Sequence, residues 1–442
     1  IENKFRSRSK NMFALGIVYW LFSRPLSITE DFLDAKFGKV LEIARANKQA
    51  LKAGYNYALT VELLPSSYKV KAAWGIMAAA ERAELDIFLG TYPITPASDI
   101  LHELSKFKNF NIVTLQAEDE IAGICASIGA SFAGSLAVTS TSGPGLSLKG
   151  EAIGLAMMTE LPIVIINVQR GGPSTGLPTK TEQSDLLQAV YGRNGESPII
   201  VLAASTPSNC FDYAYKAAKL AVEHMTPVIL LTDGFIANGS EPWKIKSVED
   251  MEDITPAFAK AGDENWNPYS RSEDKLNRTW TIPGTKGLEH RIGGLEKQAV
   301  TGNISYDPNN HEEMVKVRAE KVARVANFIP ELEFNGDENA DLLVVGWGGT
   351  YGGLHTAVSS MLDEGKSVAH AHFNFINPLP KNTADVFAKF KKIVVCELNN
   401  GQFIKLLQSE LPQFDYLQYN KIQGLPFSKS QLVNEFNNLL EA

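Results

Sequence analysis

The sequence predicts an α/β protein in which a parallel sheet, covered by helices on both faces, is followed by a smaller C-terminal α/β domain. Three observations predict it. Between residues 66 and 240, short apolar runs such as Ile163–Val168 and Val228–Leu231 alternate with helical stretches such as Ala72–Ala83 and Asn209–His224. Those runs are apolar along their whole length, as expected of strands buried on both faces. The same alternation returns after Asp341.

Residues 1–65 read as mostly helical. Arg6, Arg8 and Lys10 precede an apolar run from Met12 to Phe22 that imitates a secretory signal. The run is too short to span a bilayer. Ser23-Arg24-Pro25, which follows it, offers no small-residue cleavage site. The run is expected to be a buried helix of a domain whose front is missing, since the chain begins at Ile1. Ser27-Ile28-Thr29-Glu30 resembles a helix start with an acid in its first turn. An amphipathic stretch from Phe32 to Phe37 follows, and Gly38 is the expected stop. A second helix is expected from Leu41 to Lys52, ended by Gly54.

In the 66–240 domain, strands are expected at Ile87–Leu89, Ile112–Leu115, Ser135–Thr139, Ile163–Val168, Ile199–Leu202 and Val228–Leu231. Helices are expected at Ala72–Ala83, Glu118–Ala133 and Asn209–His224. Residues 241–335 are polar, with scattered Trp243, Trp266, Trp280 and Pro283 and little period. They read as an extended connection packed on its neighbours, which at such length is usually functional or part of an interface. Residues 336–442 form the second domain, with strands at Leu342–Val345, Val368–Phe373 and Ile393–Cys396. Its helices are expected at His355–Leu362, Ala384–Phe390 and Gln402–Leu407.

Composition narrows the function. The 442 residues fit two to three domains at about 150 residues each. An apolar fraction of 44% with 21% charged residues is that of an ordinary globular protein. A formal net charge of −8 argues against nucleic acid and against an anionic membrane surface. Three cysteines, Cys125, Cys210 and Cys396, lie too far apart for a disulfide framework or a C-x-x-C metal spacing. They fit a reduced cytoplasmic compartment. They also fall short of the four that an iron–sulfur cluster usually takes, so no cluster is expected on this chain.

The stretch Glu118–Gly145 is the richest in chemistry. Asp119-Glu120 opens a helix whose face carries Ala122, Gly123, Ala126, Gly129 and Ala130, so a close neighbour is expected there. A strand then leads to the hydroxyl- and glycine-rich loop Thr139-Ser140-Thr141-Ser142-Gly143-Pro144-Gly145 before the next helix. Such a strand–loop–helix aims backbone amides and small donors at a ligand. On spacing alone, Glu120 could equally be a helix-start carboxylate that complements the dipole. Arg170 follows an apolar strand, at the end where α/β sheets bind ligands. Its planar fork suits a carboxylate, although a surface salt bridge is the plain alternative.

These residues resemble a known pattern. Glu120, Gly129 and Thr141-Ser142-Gly143-Pro144-Gly145 are similar to the pyrimidine-binding domain of thiamine diphosphate enzymes. Tyr92-Pro93-Ile94-Thr95-Pro96 and the long loop from Val168 through Arg170, Gly171-Gly172-Pro173 and Lys180 to Gln183 resemble the α subunits of 2-oxoacid:ferredoxin oxidoreductases. Pro283-Gly284-Thr285, Gly287–Gly294 and Glu397-Leu398-Asn399-Asn400-Gly401-Gln402 match further on. Asn11–Gly16 with Arg24-Pro25-Leu26 resembles the end of a fused γ-type domain. The resemblance spans essentially the whole chain.

It implies a thiamine-diphosphate pyrimidine-binding domain at 66–240 and a C-terminal domain of transketolase type at 336–442. It also implies oxidative decarboxylation of a 2-oxoacid to acyl-coenzyme A and CO₂, with electrons passed to ferredoxin. The γ–α fusion suggests 2-oxoglutarate; pyruvate or a branched-chain oxoacid are the alternatives. By resemblance Glu120 is catalytic and binds the cofactor's pyrimidine N1′. Arg170, Thr95 and, more weakly, Lys180 bind substrate. Tyr92, Pro93, Ile94, Pro96, Thr141, Ser142 and Gly143 line the cofactor. No metal ligand is assigned to this chain. Mg²⁺, the diphosphate and the iron–sulfur cluster are expected on a β partner in an α₂β₂-like assembly.

Three features imitate other chemistry. Gly346–Gly353 follows a strand but has the wrong spacing for a dinucleotide fingerprint, and no acid ends the strand near Phe373. It is expected to be a βα turn. His370 and His372 share a strand face without an evident third ligand and read as a packed or interface pair. Asp233-Gly234 with Asn238 lacks the leading glycine and the spacing of a diphosphate motif and reads as a turn closing the first domain. That lack argues against an acetolactate synthase-like enzyme, which carries the motif on one chain. A non-catalytic scaffold would be expected to have lost Glu120 and Arg170.

Overall fold

The computed structural model describes residues 3–21, 24–38, 40–60 and 71–441. The chain divides into two compact units, Ile1–Val70 and Lys71–Ala442.

The first unit holds helices Asn3–Leu21, Ser27–Phe37 and Leu41–Thr60. The expected start at Ser27 and the stop at Gly38 are met. The third helix, however, runs past Gly54. A Cβ there would lie 1.9 Å from the Phe13 carbonyl oxygen, and one at Gly16 would lie 2.0 Å from that of Leu51. These glycines let two helices touch; neither ends one. The Met12 run is helical but not buried as expected within this unit, since Val18 is 42% exposed and most of its neighbours are half-buried. It packs mainly along the helix Leu41–Thr60. Phe22 lies outside the described residues.

The second unit contains two sheets. The first comprises β1 (Ile87–Thr91), β2 (Ile112–Gln116), β3 (Leu136–Thr141), β4 (Ile163–Gln169), β5 (Ile200–Ala203) and β6 (Pro227–Asp233). The second half of the chain adds β7 (Phe334–Gly336), β8 (Leu342–Trp347), β9 (Val368–Phe373), β10 (Phe375–Asn377), β11 (Lys392–Glu397) and β12 (Tyr416–Asn420). The strand orders are β10-β5-β6-β4-β3-β1-β2 and β12-β11-β8-β9-β7. Strands β1 to β6 are mutually parallel, and β3 to β6 are buried at every residue. Their continuous apolar runs reflect that two-sided cover.

One edge of the first sheet is supplied by a strand from the C-terminal part of the same unit, since β10 pairs antiparallel with β5. Asn374 Nδ2 donates to Ala203 O at 2.7 Å, and Asn377 Nδ2 to Ile199 O at 2.6 Å. Nothing in the sequence near Phe375 signalled that exchange.

Residues 241–307 are irregular apart from a turn of 3₁₀ helix at Val248–Asp250, but Pro308–Ala323 is a helix that the sequence reading missed. Its charged composition hid the period. Asp307, which caps the Asn309 and Asn310 amides at 2.8 and 3.1 Å, together with Pro308 at the first position, was the legible start signal.

One carboxylate fixes this region to the first sheet. Glu160, 1% exposed, accepts from Arg271 through both guanidinium NH₂ groups and from Lys321 Nζ at 2.6 Å. Burial alone would raise the Glu160 pKa, but Lys321 and Arg271 hold it well below the usual carboxylate range. Lys321 itself is pushed down to about 8 by burial. Glu160→Gln would leave two buried cations short of a counter-charge. It should cost about 3–5 kcal/mol in urea unfolding. A loss under about 1 kcal/mol would mean that the clamp is not structural. The Glu160 contribution should be full above its unfolded pKa of about 4.3 and fade as pH falls toward the depressed folded value.

Candidate active site

The expected site residues follow the C-terminal ends of β1, β2, β3 and β4, where an open parallel sheet exposes loops and helix starts to a ligand. Each is placed by a local rule. β1 ends at Thr91, whose hydroxyl donates to Ser140 O at 2.6 Å, tying β1 to β3. Tyr92–Pro96 then turns away, with Ala97 N donating to Ile94 O at 2.7 Å. β3 runs through Thr141, two residues further than expected, so Thr139, Ser140 and Thr141 are strand and only Ser142 bridges to the helix Gly143–Leu148.

Glu120 is the first residue of the helix Glu120–Phe132, with Asp119 as its N-cap accepting from Ala122 N at 2.7 Å. Asp119 therefore does the capping, which leaves Glu120 available for something else. Glu120 is 8% exposed, and its carboxylate accepts no hydrogen bond among the described residues. It lies over Gly145: a Cβ at 145 would sit 3.3 Å from Glu120 Oε1 and 2.1 Å from Thr141 Oγ1. The buried hydroxyls of Ser142 and Thr139 also lack partners. The Glu120 carboxylate, the Thr141 hydroxyl and the glycine floor at Gly145 form a polar cradle. Gly123 of the same helix packs on Thr91, but a Cβ at Gly129 would meet nothing, and Ala122 and Cys125 are exposed. Of the close neighbours expected on that helix face, the described residues supply one at Gly123 and none at Gly129.

Arg170 follows β4 and is 6% exposed. Its Nη1 donates to Thr95 O, joining the two motifs, while its buried Nε is unpartnered. Asp185, which the sequence reading missed, stands near the Arg170 charge and beside Gly143, where a Cβ would lie 3.0 Å from its Oδ1. Burial pushes its carboxyl up, against hydrogen bonds from Asn167 (2.9 Å) and Ser184 (2.9 Å) and the Arg170 charge. The polar residues Asn167 and Gln169 at the end of an otherwise apolar strand were the signal that could have found it.

Lys180 is not brought onto Glu120 or Arg170. It is exposed, has no ion-pair partner among the described residues, and lines a cavity of about 520 Å³ with Thr95, Pro96, Asn238 and Gly424. Tyr92 is 38% exposed, and Pro93 and Ile94 are half-buried, along the rim of the same β1 loop.

Residues from Trp347 to Gln402 hold the loop that carries Arg170, Lys180 and Asp185. Gln183 Nε2 donates to Trp347 O at 2.7 Å, and its Oε1 accepts from Leu398 N at 2.9 Å. Asn399 Nδ2 donates to Gln183 O at 2.9 Å, and Gln402 Nε2 to Ser184 O at 2.8 Å. Glu397 organises that end by accepting from Phe403 N, Asn399 Nδ2 and Trp347 Nε1. The Glu397–Gln402 motif is thus a latch on residues 183–187.

The lookalikes resolve. Gly348–Thr350 forms the turn between β8 and the helix Tyr351–Asp363, as expected. Asp233 ends β6 and caps the short helix Gly234–Asn238, as expected of a closing turn. It also sits against Gly349, where a Cβ would lie 2.0 Å from its Oδ2. His370 and His372 share a face of β9, and His355 is a third imidazole beside them, with ring centroids 6.3 Å from His370. Tyr351 stacks on His355 at 5.2 Å and meets His372 edge-on at 5.1 Å. Among the described residues, no group of three or more His, Cys, Asp or Glu is disposed to hold a metal. Burial pushes His370 down to about 3, so it packs as a neutral ring.

Residues 78–306 match the family described as pyruvate flavodoxin/ferredoxin oxidoreductase, thiamine-diphosphate-binding. Over 98% of its length the chain is 50% identical to the 2-oxoglutarate oxidoreductase subunit KorA of Mycobacterium tuberculosis, of which it covers 68%. It is 33% identical, over 73% of its length, to the 2-oxoglutarate synthase subunit KorA of Methanothermobacter thermautotrophicus, covering 85% of that protein. Its structure resembles that of a 2-oxoglutarate:ferredoxin oxidoreductase from Magnetococcus marinus with 2-oxoglutarate, coenzyme A and succinyl-CoA bound. The TM-score is 0.79 at 33% identity, covering 98% of this chain and 77% of the other.

Proposed function

The chain belongs to the 2-oxoacid:ferredoxin oxidoreductase family, as an α-type subunit, and from that premise we propose that it serves a 2-oxoglutarate:ferredoxin oxidoreductase. The enzyme converts a 2-oxoacid and coenzyme A to acyl-coenzyme A and CO₂, and the two electrons released reduce ferredoxin. The observation that carries the reading is Glu120, a residue only 8% exposed whose carboxylate has no hydrogen-bond partner among the described residues and lies above a glycine floor.

That cradle fits thiamine diphosphate. A pyrimidine edge needs a carboxylate facing N1′ and no side chain in its way, which is what Glu120 and Gly145 offer. When bound, the cofactor supplies the carbon nucleophile and electron sink that let the C1–C2 bond of a 2-oxoacid break. Glu120 then holds the proton at N1′. Ser142 offers a free hydroxyl, and Thr141, Gly143 and the Tyr92, Pro93, Ile94 and Pro96 loop would enclose the ring. Arg170 binds the substrate's C1 carboxylate, held in place by Thr95. Lys180, at the mouth of the neighbouring cavity, is the candidate for the distal carboxylate of 2-oxoglutarate.

The chain lacks a diphosphate motif in its sequence, so the reading assigns diphosphate, Mg²⁺ and the iron–sulfur cluster to a β subunit in an α₂β₂-like assembly. Residues 1–65 are read as the end of a γ-type domain, with 66–240 binding the pyrimidine, 241–335 connecting and 336–442 closing the fold. Free thiols at Cys125, Cys210 and Cys396 suit a reducing cytoplasm. Among the described residues no helix is long and apolar enough to cross a membrane.

Two measurements test the proposal. Co-purified with its β subunit, the chain should support coenzyme A-dependent dye reduction with 2-oxoglutarate in preference to pyruvate; preference for another oxoacid would overturn the substrate assignment. Alone, it should bind thiamine diphosphate weakly or not at all by calorimetry. Tight, magnesium-dependent binding by the isolated chain would contradict a site completed by a partner.

A further inference from the structure

Lys149 sits at the junction of two short helices, between Gly143–Leu148 and Gly150–Thr159, and is 0% exposed. Burying an ammonium is costly unless it is matched. Its Nζ donates to Glu120 O at 2.8 Å and makes no other hydrogen bond among the described residues. The lysine thus grips the backbone of Glu120 and leaves the Glu120 carboxylate open. Lys149 lies one helical turn after Gly145, and its amide donates to Gly145 O at 3.1 Å. The floor beneath the carboxylate and the group behind it therefore belong to one turn of chain. The charged and titratable groups facing Lys149 are Glu120, Asp119 and Cys125, all on the opposing helix start.

Resting on the functional reading above, we propose that Lys149 is a positioning residue for Glu120: its ammonium fixes the first turn of the Glu120–Phe132 helix and sets a positive charge behind the carboxylate, so that an ionised oxygen is presented to the cofactor's pyrimidine. An uncharged side chain of the same length would fill the space but neither grip the carbonyl nor favour the ionised carboxylate. Burial pushes Lys149 down to about 8, against the attraction of Glu120 and Asp119. The positive charge behind Glu120 is therefore lost in mildly alkaline solution, where an exposed lysine would still be charged, and the neutral amine left behind donates a weaker bond to the Glu120 carbonyl. The signs for stability and for function are opposite. Between about pH 8 and the unfolded value near 10.4, the folded state holds fewer protons at this site than the unfolded state, so the Lys149 contribution to stability rises with pH. Presentation of Glu120 weakens over the same interval.

The test uses the assembled enzyme with its β subunit. Calorimetry measures the Kd for thiamine diphosphate at saturating Mg²⁺ from pH 6.5 to 9.5, for wild type, Lys149→Met and Lys149→Arg, with thermal denaturation alongside. Wild type should bind with constant Kd up to about pH 8 and weaken above it. Lys149→Met should bind roughly tenfold more weakly at pH 7, the factor for one charge-assisted hydrogen bond, without that alkaline limb. Its melting temperature should be unchanged or higher. Lys149→Arg, whose charge persists, should recover part of the affinity and shift the limb upward. If Lys149→Met binds as wild type does and keeps the limb, or if Lys149→Arg leaves the limb where it is, the lysine only fills space and the proposal is overturned. A wild-type assembly that bound no thiamine diphosphate would instead overturn the functional reading on which the proposal rests.

Discussion

Glu120→Gln is expected to fold as the wild type does and to lose turnover by roughly 10²-fold or more, the range for a general acid–base contribution. The fold should survive because the carboxylate has no hydrogen-bond partner among the described residues to lose, and because Asp119 caps the helix. Glutamine keeps the shape and the burial but cannot exchange a proton with N1′. C2-proton exchange of bound thiamine diphosphate, followed by NMR in the assembled enzyme, isolates this effect from substrate binding. Exchange at the wild-type rate in the variant would remove Glu120 from the mechanism. A fall in melting temperature matching the loss of activity would make it a structural residue.

Arg170→Lys is expected to raise KM sharply for every 2-oxoacid. A 2-oxoacid must be held with its ketone toward the cofactor and its carboxylate free to depart. Two parallel N–H groups fix both position and plane, which a single ammonium cannot do. The guanidinium is already oriented, since Nη1 is tied to Thr95 O while the buried Nε is unpartnered. Leaving a carboxylate poorly paired in such a site costs on the order of 2–5 kcal/mol, or roughly 30-fold and upward. Discrimination between 2-oxoglutarate and pyruvate should change little, because both carry the C1 carboxylate. If turnover of 2-oxoglutarate suffers while pyruvate is spared, Arg170 is the ligand of the distal carboxylate and its assignment must be exchanged with that of Lys180.

Much of this architecture was legible in the residues, and the failures share a cause. Strands such as Val368–Phe373 and helices such as Asn209–His224 were read to the residue, because burial on two faces or a long amphipathic face imposes a strong pattern. The misread elements are those whose pattern is set elsewhere. Gly54 looked like a stop because the Phe13 carbonyl that requires it lies on another helix. Pro308–Ala323 hides its period because Arg318 and Lys321 are buried, Arg318 on Glu296 and Lys321 on Glu160, where apolar residues would ordinarily face the core. At the candidate site, Glu120, Thr95 and Arg170 were singled out by motifs. Asp185 and Lys149 were missed, because a buried charge is recognised by its partners and those partners come from distant parts of the chain.

The latch between Gln183 and the Glu397–Gln402 segment has a consequence for anyone recombining such subunits. The loop after Arg170 takes its shape from six residues more than two hundred positions downstream, through bonds such as Leu398 N to Gln183 Oε1 and Leu187 N to Gln402 Oε1. A chimera with its crossover at residue 336 would inherit the lock from one parent and the key from the other. Substrate preference in such hybrids should follow the match between the two segments, whichever parent donates the loop. Residues 183–187 and 397–402 are best moved together, as one cassette split between two distant stretches of the chain.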